Sequence, residues 1–255
     1  MGLGLYIIGD EILSGKRQDK HFPQVLGLLQ ARGMRLDWVQ YLGDDPALLR
    51  SAFAISFGRG DVALSCGGIG ATPDDHTRQS AAAALGVPLE LHPEAKVLIQ
   101  QRVVDAGLGD LDSPANQQRL HMGMFPRGSA LIPNPYNRIP GFSVRGHYFV
   151  PGFPVMAWPM LEWVLDGPLA GLHGSGRQVE RSVIVRHVME SDLTPLMEEV
   201  ERRFAGIKVF SLPSVDHPVL GRHIELGVKG GADVDTAFAY LRDHLPQGSW
   251  ENAPE

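Results

Sequence analysis

The chain has 255 residues, enough for one large domain or a medium domain with a small one, and either can bury a core without disulfide or metal staples. Lys plus Arg is 23 against 29 for Asp plus Glu, a net charge of −6 that excludes a broad basic nucleic-acid face and argues against docking on an anionic membrane. The single cysteine excludes an internal disulfide framework and a Cys-rich zinc site; no run approaches ~20 apolar residues, the N-terminus lacks a basic leader, and the expected location is cytoplasmic.

Residues 3–8 (LGLYII) read as a buried strand, short, apolar and ended by Gly9, with a polar loop over 10–19. Phe22, Val25, Leu26 and Leu29 recur at helical spacing, which predicts a helix over 20–32 closed by Gly33. A second strand is expected over 35–42. Asp45 and Pro46 then start a helix, Asp as cap and Pro in the first turn. Residues 61–66 predict a third strand, followed by a Gly-rich stretch and a helix ending near Leu85. Strands alternating with helices imply a parallel sheet covered on both faces.

The pattern loosens in the middle. Residues 93–106 look helical, whereas 116–146 are rich in Pro, Gly and Asn and show little beyond a short strand near 130–132. A long irregular segment within a compact domain is either functional or holds elements that the pattern does not reveal. A strand over 147–150 leads into a helix that contains Pro159 and runs to about Leu165. Residues 167–176 (GPLAGLHGSG) read as a linker. Beyond it, a strand over 179–188, a helix over 193–204, strands over 208–212 and 223–229 and a helix over 233–245 make a β-α-β-β-α unit whose antiparallel sheet is open on one face. The expected domains are 1–168 and 177–250.

The strongest chemical signal is Cys66-Gly67-Gly68-Ile69-Gly70-Ala71-Thr72-Pro73-Asp74-Asp75-His76-Thr77, between a buried strand and a helix. Glycines there let backbone N–H groups face a ligand, and the helix start adds partial positive charge that suits a phosphate. Thr72-Pro73-Asp74-Asp75 also resembles a capping box, with Thr77 as a rival cap. On that reading Thr72 and Asp75 cap a helix and the glycines simply turn the chain. Capping does not account for two adjacent carboxylates, which would repel a bare phosphate unless a divalent cation bridges them. Asp10-Glu11 follows the first strand and Asp44-Asp45 the second, so all three acidic pairs fall at the carboxyl edge of the sheet, where open parallel sheets bind ligands. Singly, each pair reads as a solvated loop or cap; three around one Gly-rich loop read as a site. Ser14-Gly15-Lys16 reads either as a turn or as a further phosphate contact. Cys66 reads as a small core residue, His76 as a surface histidine, and Trp158 and Trp163 as packing.

Ile8-Gly9-Asp10-Glu11-Ile12-Leu13-Ser14-Gly15, Gly43-Asp44-Asp45 and the Cys66-to-Thr77 stretch together resemble the molybdopterin-binding domain superfamily, and within it the N-terminal part of the competence/damage-inducible protein A family. Asn116-Gln117-Gln118-Arg119, Ile132-Pro133-Asn134-Pro135, Pro140-Gly141-Phe142, Glu190-Ser191 and Ser211-Leu212-Pro213 fit that subgroup, so nearly the whole chain is covered. The resemblance implies an α/β fold, a three-layer sandwich with a mostly parallel sheet, plus a small α+β C-terminal domain. It places Gly67, Gly68, Gly70 and Thr72 in the ligand loop, makes Asp44 and Asp75 the characteristic acidic positions, and implies a homo-oligomer. Arg138-Ile139 stand where the subgroup carries a small residue and Ala, and Val155-Met156 where it carries Glu-Met, leaving bulkier side chains and one carboxylate fewer. The amidohydrolase domain of longer relatives is not expected, nor is deamidation of nicotinamide mononucleotide.

Three functions follow from these expectations. In the first, the chain hydrolyses a nucleotide diphosphate linkage, as in ADP-ribose or FAD. A divalent metal (Mg²⁺ or similar, with K⁺ as a companion ion) sits on Asp44, Asp74 and Asp75, the phosphate on Gly67, Gly68, Gly70, Thr72 and Ser14, and the catalytic set is Asp44, Asp75 and Glu11, with Glu11 orienting the water. In the second, the same loop holds the terminal phosphate of molybdopterin, without turnover. In the third, the chain is a non-catalytic binding or assembly module. The expected partner is a small nucleotide or pterin phosphate, neither nucleic acid nor membrane.

Overall fold

The computed structural model describes residues 2–176 and 179–252. The chain divides into two compact units, Met1–Gly176 and Arg177–Glu255.

The first unit opens with β1 (Leu3–Ile8), buried along its whole length, then a short helix α1 (Asp10–Leu13) where the sequence predicts only a loop. There follow α2 (His21–Ala31), β2 (Trp38–Leu42), α3 (Pro46–Arg59), β3 (Val62–Cys66), α4 (Thr77–Leu85), β4 (Leu89–Leu91), α5 (Pro93–Asp105), α6 (Pro114–Leu120), β5 (Met124–Pro126), β6 (Ala130–Ile132), β7 (Gly141–Val144), β8 (His147–Val150) and α7 (Pro154–Asp166). As the sequence predicts, the Asp45 carboxylate caps α3, accepting the Ala47 and Leu48 amides at 2.9 and 2.8 Å, with Pro46 in the first turn.

The main sheet has the order β2-β1-β3-β8-β7-β6. β2, β1, β3 and β8 pair in parallel, and β7 and β6 extend the sheet antiparallel. Alternation along β1 feeds two cores. Leu3, Leu5 and Ile7 pack with Val25 and Leu29 of α2 and Met160, Leu161 and Val164 of α7. Tyr6 and Ile8 face the opposite layer with Leu49 and Phe53 of α3. These layers form the α/β sandwich with a mostly parallel sheet that the sequence predicts. Burial on both faces explains why β1 is apolar throughout, not alternating.

The second core carries a chain of rings. Phe53 meets Tyr6 at 5.1 Å and Phe149 at 5.5 Å, and Phe142 stacks on Phe149 at 4.5 Å and on Phe125 at 4.8 Å. Such pairs add about 0.5–1.5 kcal/mol each beyond area burial. This ring chain draws the central segment, which shows no clear period in sequence, into β5 and β7. Residues 167–176, expected as a free linker, instead lie against the first unit: Gly174 and Gly176 donate to the Arg32 and Gly33 carbonyls, each at 2.9 Å. A side chain at Gly176 would collide with Arg35 backbone.

The second unit contains β9 (Val179–Val185), α8 (Glu190–Arg203), β10 (Lys208–His217), β11 (Gly221–Gly230), α9 (Val234–Asp243) and β12 (Trp250–Asn252). Its antiparallel sheet runs β10-β11-β9-β12, and Val183, Val185, Leu226 and Val228 pack against Leu193, Val200, Ala237 and Leu241 of the helices. β10 and β11 extend beyond their expected ends, and β12 is an additional edge strand that its three-residue length hides in the sequence.

One buried polar group gives the first unit a pH dependence. His147 is fully buried: its Nδ1 lies 3.2 Å from the Arg145 carbonyl and its Nε2 2.7 Å from Ser56 Oγ. A carbonyl only accepts, so Nδ1 carries the proton and neutral Nε2 accepts from Ser56. Burial pushes the imidazole pKa from 6.5 down to about 4. Below pH 6.5 the unfolded chain takes up this proton and the folded chain does not, so stability falls as pH drops from about 6.5 to about 4. The expected contribution approaches about 3 kcal/mol. Urea unfolding at pH 7 and pH 4.5 checks it: His147→Gln should flatten the loss on acidification, and an unchanged loss would assign the effect to other groups.

Candidate functional site

The four parallel strands deliver their carboxyl ends to one edge. β1 ends at Gly9-Asp10, β2 at Gly43-Asp44, β3 at Gly67-Gly68, and β8 at Pro151-Gly152. At this edge the structure shows two distinct concavities, and it divides the predicted residues between them.

The first is a half-enclosed cavity of about 330 Å³. The Gly-rich loop forms one wall through Gly68, Ile69, Gly70, Ala71, Thr72 and Asp75. The other wall is apolar: Met122, Ile139, Pro140, Phe153 and Met156, together with Asn134 and Asn137.

The loop's shape follows from its glycines. Gly67 and Gly68 have φ of 112° and 68°, a region that side chains rarely enter. A Cβ on Gly67 would lie 2.1 Å from the Ile8 carbonyl oxygen, and one on Gly68 2.2 Å from Thr77 Oγ1. The Thr77 hydroxyl donates to the Gly67 carbonyl at 3.1 Å, and its amide to the Gly68 carbonyl at 3.0 Å, so the start of α4 is stitched to the turn.

Asp75 closes the loop. Its carboxylate accepts the Gly70 amide at 2.8 Å, the Thr72 amide at 2.8 Å and the Thr72 hydroxyl at 2.5 Å. This resembles half of the expected capping box, but no helix begins there. α4 starts at Thr77, so the box locks a loop. Gly70 and Gly67 therefore have committed amides, the latter bonded to the Val150 carbonyl at 3.0 Å. Among the described residues, the amides of Gly68, Ile69 and Ala71 have no hydrogen-bond partner. Of the expected loop contacts Gly67, Gly68, Gly70 and Thr72, only Gly68 keeps an unbonded amide, with those of Ile69 and Ala71 beside it.

The second concavity is an open depression lined by Asp10, Glu11, Ser14, Lys16, Asp44 and Asp74. Two of the three acidic pairs have one residue working elsewhere: Asp45 caps α3 and Asp75 locks the loop. Asp10 and Asp44 exchange hydrogen bonds, the Asp10 amide to Asp44 Oδ2 at 2.9 Å and the Asp44 amide to Asp10 Oδ1 at 3.2 Å. Burial raises the Asp44 carboxyl above the ordinary range, helped by the charges of Asp10, Glu11 and Asp74 and opposed by the Asp10 amide. The Thr72 hydroxyl, shared between Asp75 and Asp74, and the Asp74 amide hold the Asp74 carboxyl below that range. Among the described residues no three His, Cys, Asp or Glu side chains cluster closely enough to hold a metal ion. The expected joint metal set of Asp44, Asp74 and Asp75 is not assembled, because Asp75 turns to the loop. Ser14 and Glu11 lie in the depression, away from the glycine wall.

Several cavity residues carry no clear signal in the sequence. Asn134 and Asn137 come from the irregular segment. The Ile139 amide donates to Asn137 Oδ1 at 2.9 Å, as does Asn134 Nδ2, which fixes the orientation of the Asn137 carboxamide. Its NH₂ is left with the Met156 thioether at 3.4 Å, a weak acceptor. His21 Nε2 holds the Gly152 carbonyl at 2.9 Å and so pins the turn beneath Phe153. Of the four positions compared in the sequence, those of Ile139 and Met156 line the cavity. Arg138 points to an ion pair with Asp105 at 2.9 Å, and Val155 is exposed.

The family model described as "Probable molybdopterin binding domain" matches residues 4–170, and the chain belongs to this family. Within it the chain is of the CinA-like type. A CinA-like protein of Anaeromyxobacter dehalogenans (strain 2CP-C) is 35% identical over 185 residues, 68% of this chain and 44% of the relative. This chain spans less than half the length of that relative. A protein of Caldivirga maquilingensis is 31% identical over 235 residues, 89% of this chain and 87% of its own length. The crystal structure of the protein CinA from Thermoplasma acidophilum, described as of unknown function, matches with a TM-score of 0.56 at 25% identity, covering 65% of this chain and 98% of that one.

The lock makes a prediction. Asp75→Ala removes the acceptor for two amides and a hydroxyl and should cost about 1–3 kcal/mol. Hydrogen exchange at the Gly70 and Thr72 amides should accelerate in this variant and not in Asp44→Ala. Equal protection in all three proteins would show that the loop holds its shape without Asp75.

Proposed function

We propose that this chain binds a phosphorylated pterin of the molybdopterin class in the cavity between the Gly-rich loop and residues 134–156. The carrying observation is the pairing of unpartnered amides at Gly68, Ile69 and Ala71 with a facing apolar wall. A volume of about 330 Å³ suits a small bicyclic ligand and lies within the range of ligand pockets, about 300–1,000 Å³. Ile139 and Met156 offer a dispersion surface for a flat ring, and the thioether is polarizable. The Asn137 NH₂, held by its carbonyl side, is placed to give up the Met156 sulfur for a ring carbonyl, a stronger acceptor. The amides donate to phosphate oxygens without a charged side chain, as loop nests do. Family membership supports the same ligand class.

Hydrolysis of a nucleotide diphosphate linkage is the second reading, and the acidic depression is the observation that favours it. It requires a divalent metal, and the carboxylates as arranged do not fit one, so no step is derived through it.

Titration with 6-hydroxymethylpterin, followed by its fluorescence, tests the first reading. Saturable binding is expected. Asn137→Ala should weaken it roughly five- to tenfold, the equivalent of about 1 kcal/mol for one hydrogen bond. No saturable binding to the native protein, or AMP release from ADP-ribose that disappears in Asp44→Asn, would overturn it.

A further inference from the structure

Arg78, in the first turn of α4, is only 3% exposed. Its Nη2 donates to the Gly70 carbonyl at 2.6 Å, which fixes the guanidinium plane. Its Nε and Nη1 are buried with no partner. Asp75 is a neighbouring charge, but its oxygens already serve Gly70 and Thr72. A buried guanidinium with two idle donor groups is costly, and native structures seldom keep one without a use.

Arg78 borders a third concavity of about 320 Å³, between the loop, α4, β4 and the end of α6. Its polar lining is Thr72, Arg78, Gln79, Gln118 and His121, with no acidic side chain among the lining residues. That is notable in a chain of net charge −6, and the acidic depression lies at a different set of residues. Gln118 reaches the Ala71 carbonyl at 3.3 Å, so α6 is tied to the loop at the mouth of this cleft.

We propose that this cleft is a second binding site, for the phosphate group of a small phosphorylated ligand, with Arg78 as its fixed cation and His121 and Gln118 as flanking donors. Guanidinium matches phosphate because its donors are planar and several oxygens are met at once. Burial pushes the Arg78 pKa down to about 10, which leaves it cationic at neutral pH, and a bound dianion would restore it. Ala71 and Thr72 line both this cleft and the pterin cavity, so the two sites lie back to back across one loop. The phosphate site stands without the pterin reading, since none of its donors belongs to the apolar wall.

Titration of the full chain with inorganic phosphate, followed by NMR of the Arg78 Nε–H and the His121 ring, tests this. Both signals should shift saturably in the native protein. Arg78→Gln should weaken the His121 response at least tenfold, while Asn137→Ala should leave it unchanged. His121→Gln, at an exposed position, should weaken the Arg78 response several-fold and keeps the proposal open to test should Arg78→Gln not fold. An undiminished His121 response in Arg78→Gln, an undiminished Arg78 response in His121→Gln, or shifts confined to the amides of residues 68–71, would overturn the site. Loss of pterin binding alone would instead count against the function proposed above.

Discussion

The carboxylate of Asp75 holds Gly70 and Thr72 by their amides and Thr72 also by its hydroxyl, and the candidate site depends on that grip. The chain leaves β3 at Cys66 and must turn back within two residues. It does so only because Gly67 and Gly68 accept positive φ and because no side chain obstructs Ile8 and Thr77. Asp75 then fixes the far side of the turn. With Gly67 and Gly70 satisfied, the amides of Gly68, Ile69 and Ala71 are left without a partner among the described residues. A charged side chain here serves the backbone, and under the proposed function the backbone amides serve the ligand.

The acidic pairs show how local structure assigns roles to neighbours of identical type. Asp45 precedes Pro46 and lies at the start of a helix, so capping captures it. Asp75 follows a glycine turn by a few residues, so exposed loop amides capture it. Asp10 and Asp44 take only each other's amides, and with Asp74 and Glu11 they line the open depression. Asp44 pays part of the cost of proximity, as burial and its like-charged neighbours lift its pKa. Spacing in the sequence brings all three pairs to one edge of the sheet; the competition for backbone amides decides which members remain available.

The parallel part of the fold was legible because its signals are local. The apolar run of β1, the Asp45-Pro46 start of α3 and the glycine stop after Leu85 each act within a few residues. The Gly-rich loop was legible as a tight turn for the same reason. β5 and β7 were not, because stacking of Phe125 on Phe142 and of Phe142 on Phe149 specifies them, and such contacts form between strands and leave no local period in the sequence. Asn134 and Asn137 stayed hidden because their roles rest on a turn that Ile139 and Met156 complete. Arg78 had no signal at all: arginine in the first turn of a helix reads as solvated, and only its burial without partners marks it.

The account stands or falls on where a phosphorylated pterin sits. A crystal structure with 6-hydroxymethylpterin phosphate bound is the most direct measurement. It should show the ring against Ile139 and Met156, with Asn137 donating to it and the amides of Gly68, Ile69 or Ala71 within hydrogen-bond distance of ligand oxygens. A ligand bound only over Asp10, Asp44 and Asp74, with the loop cavity empty, would contradict it.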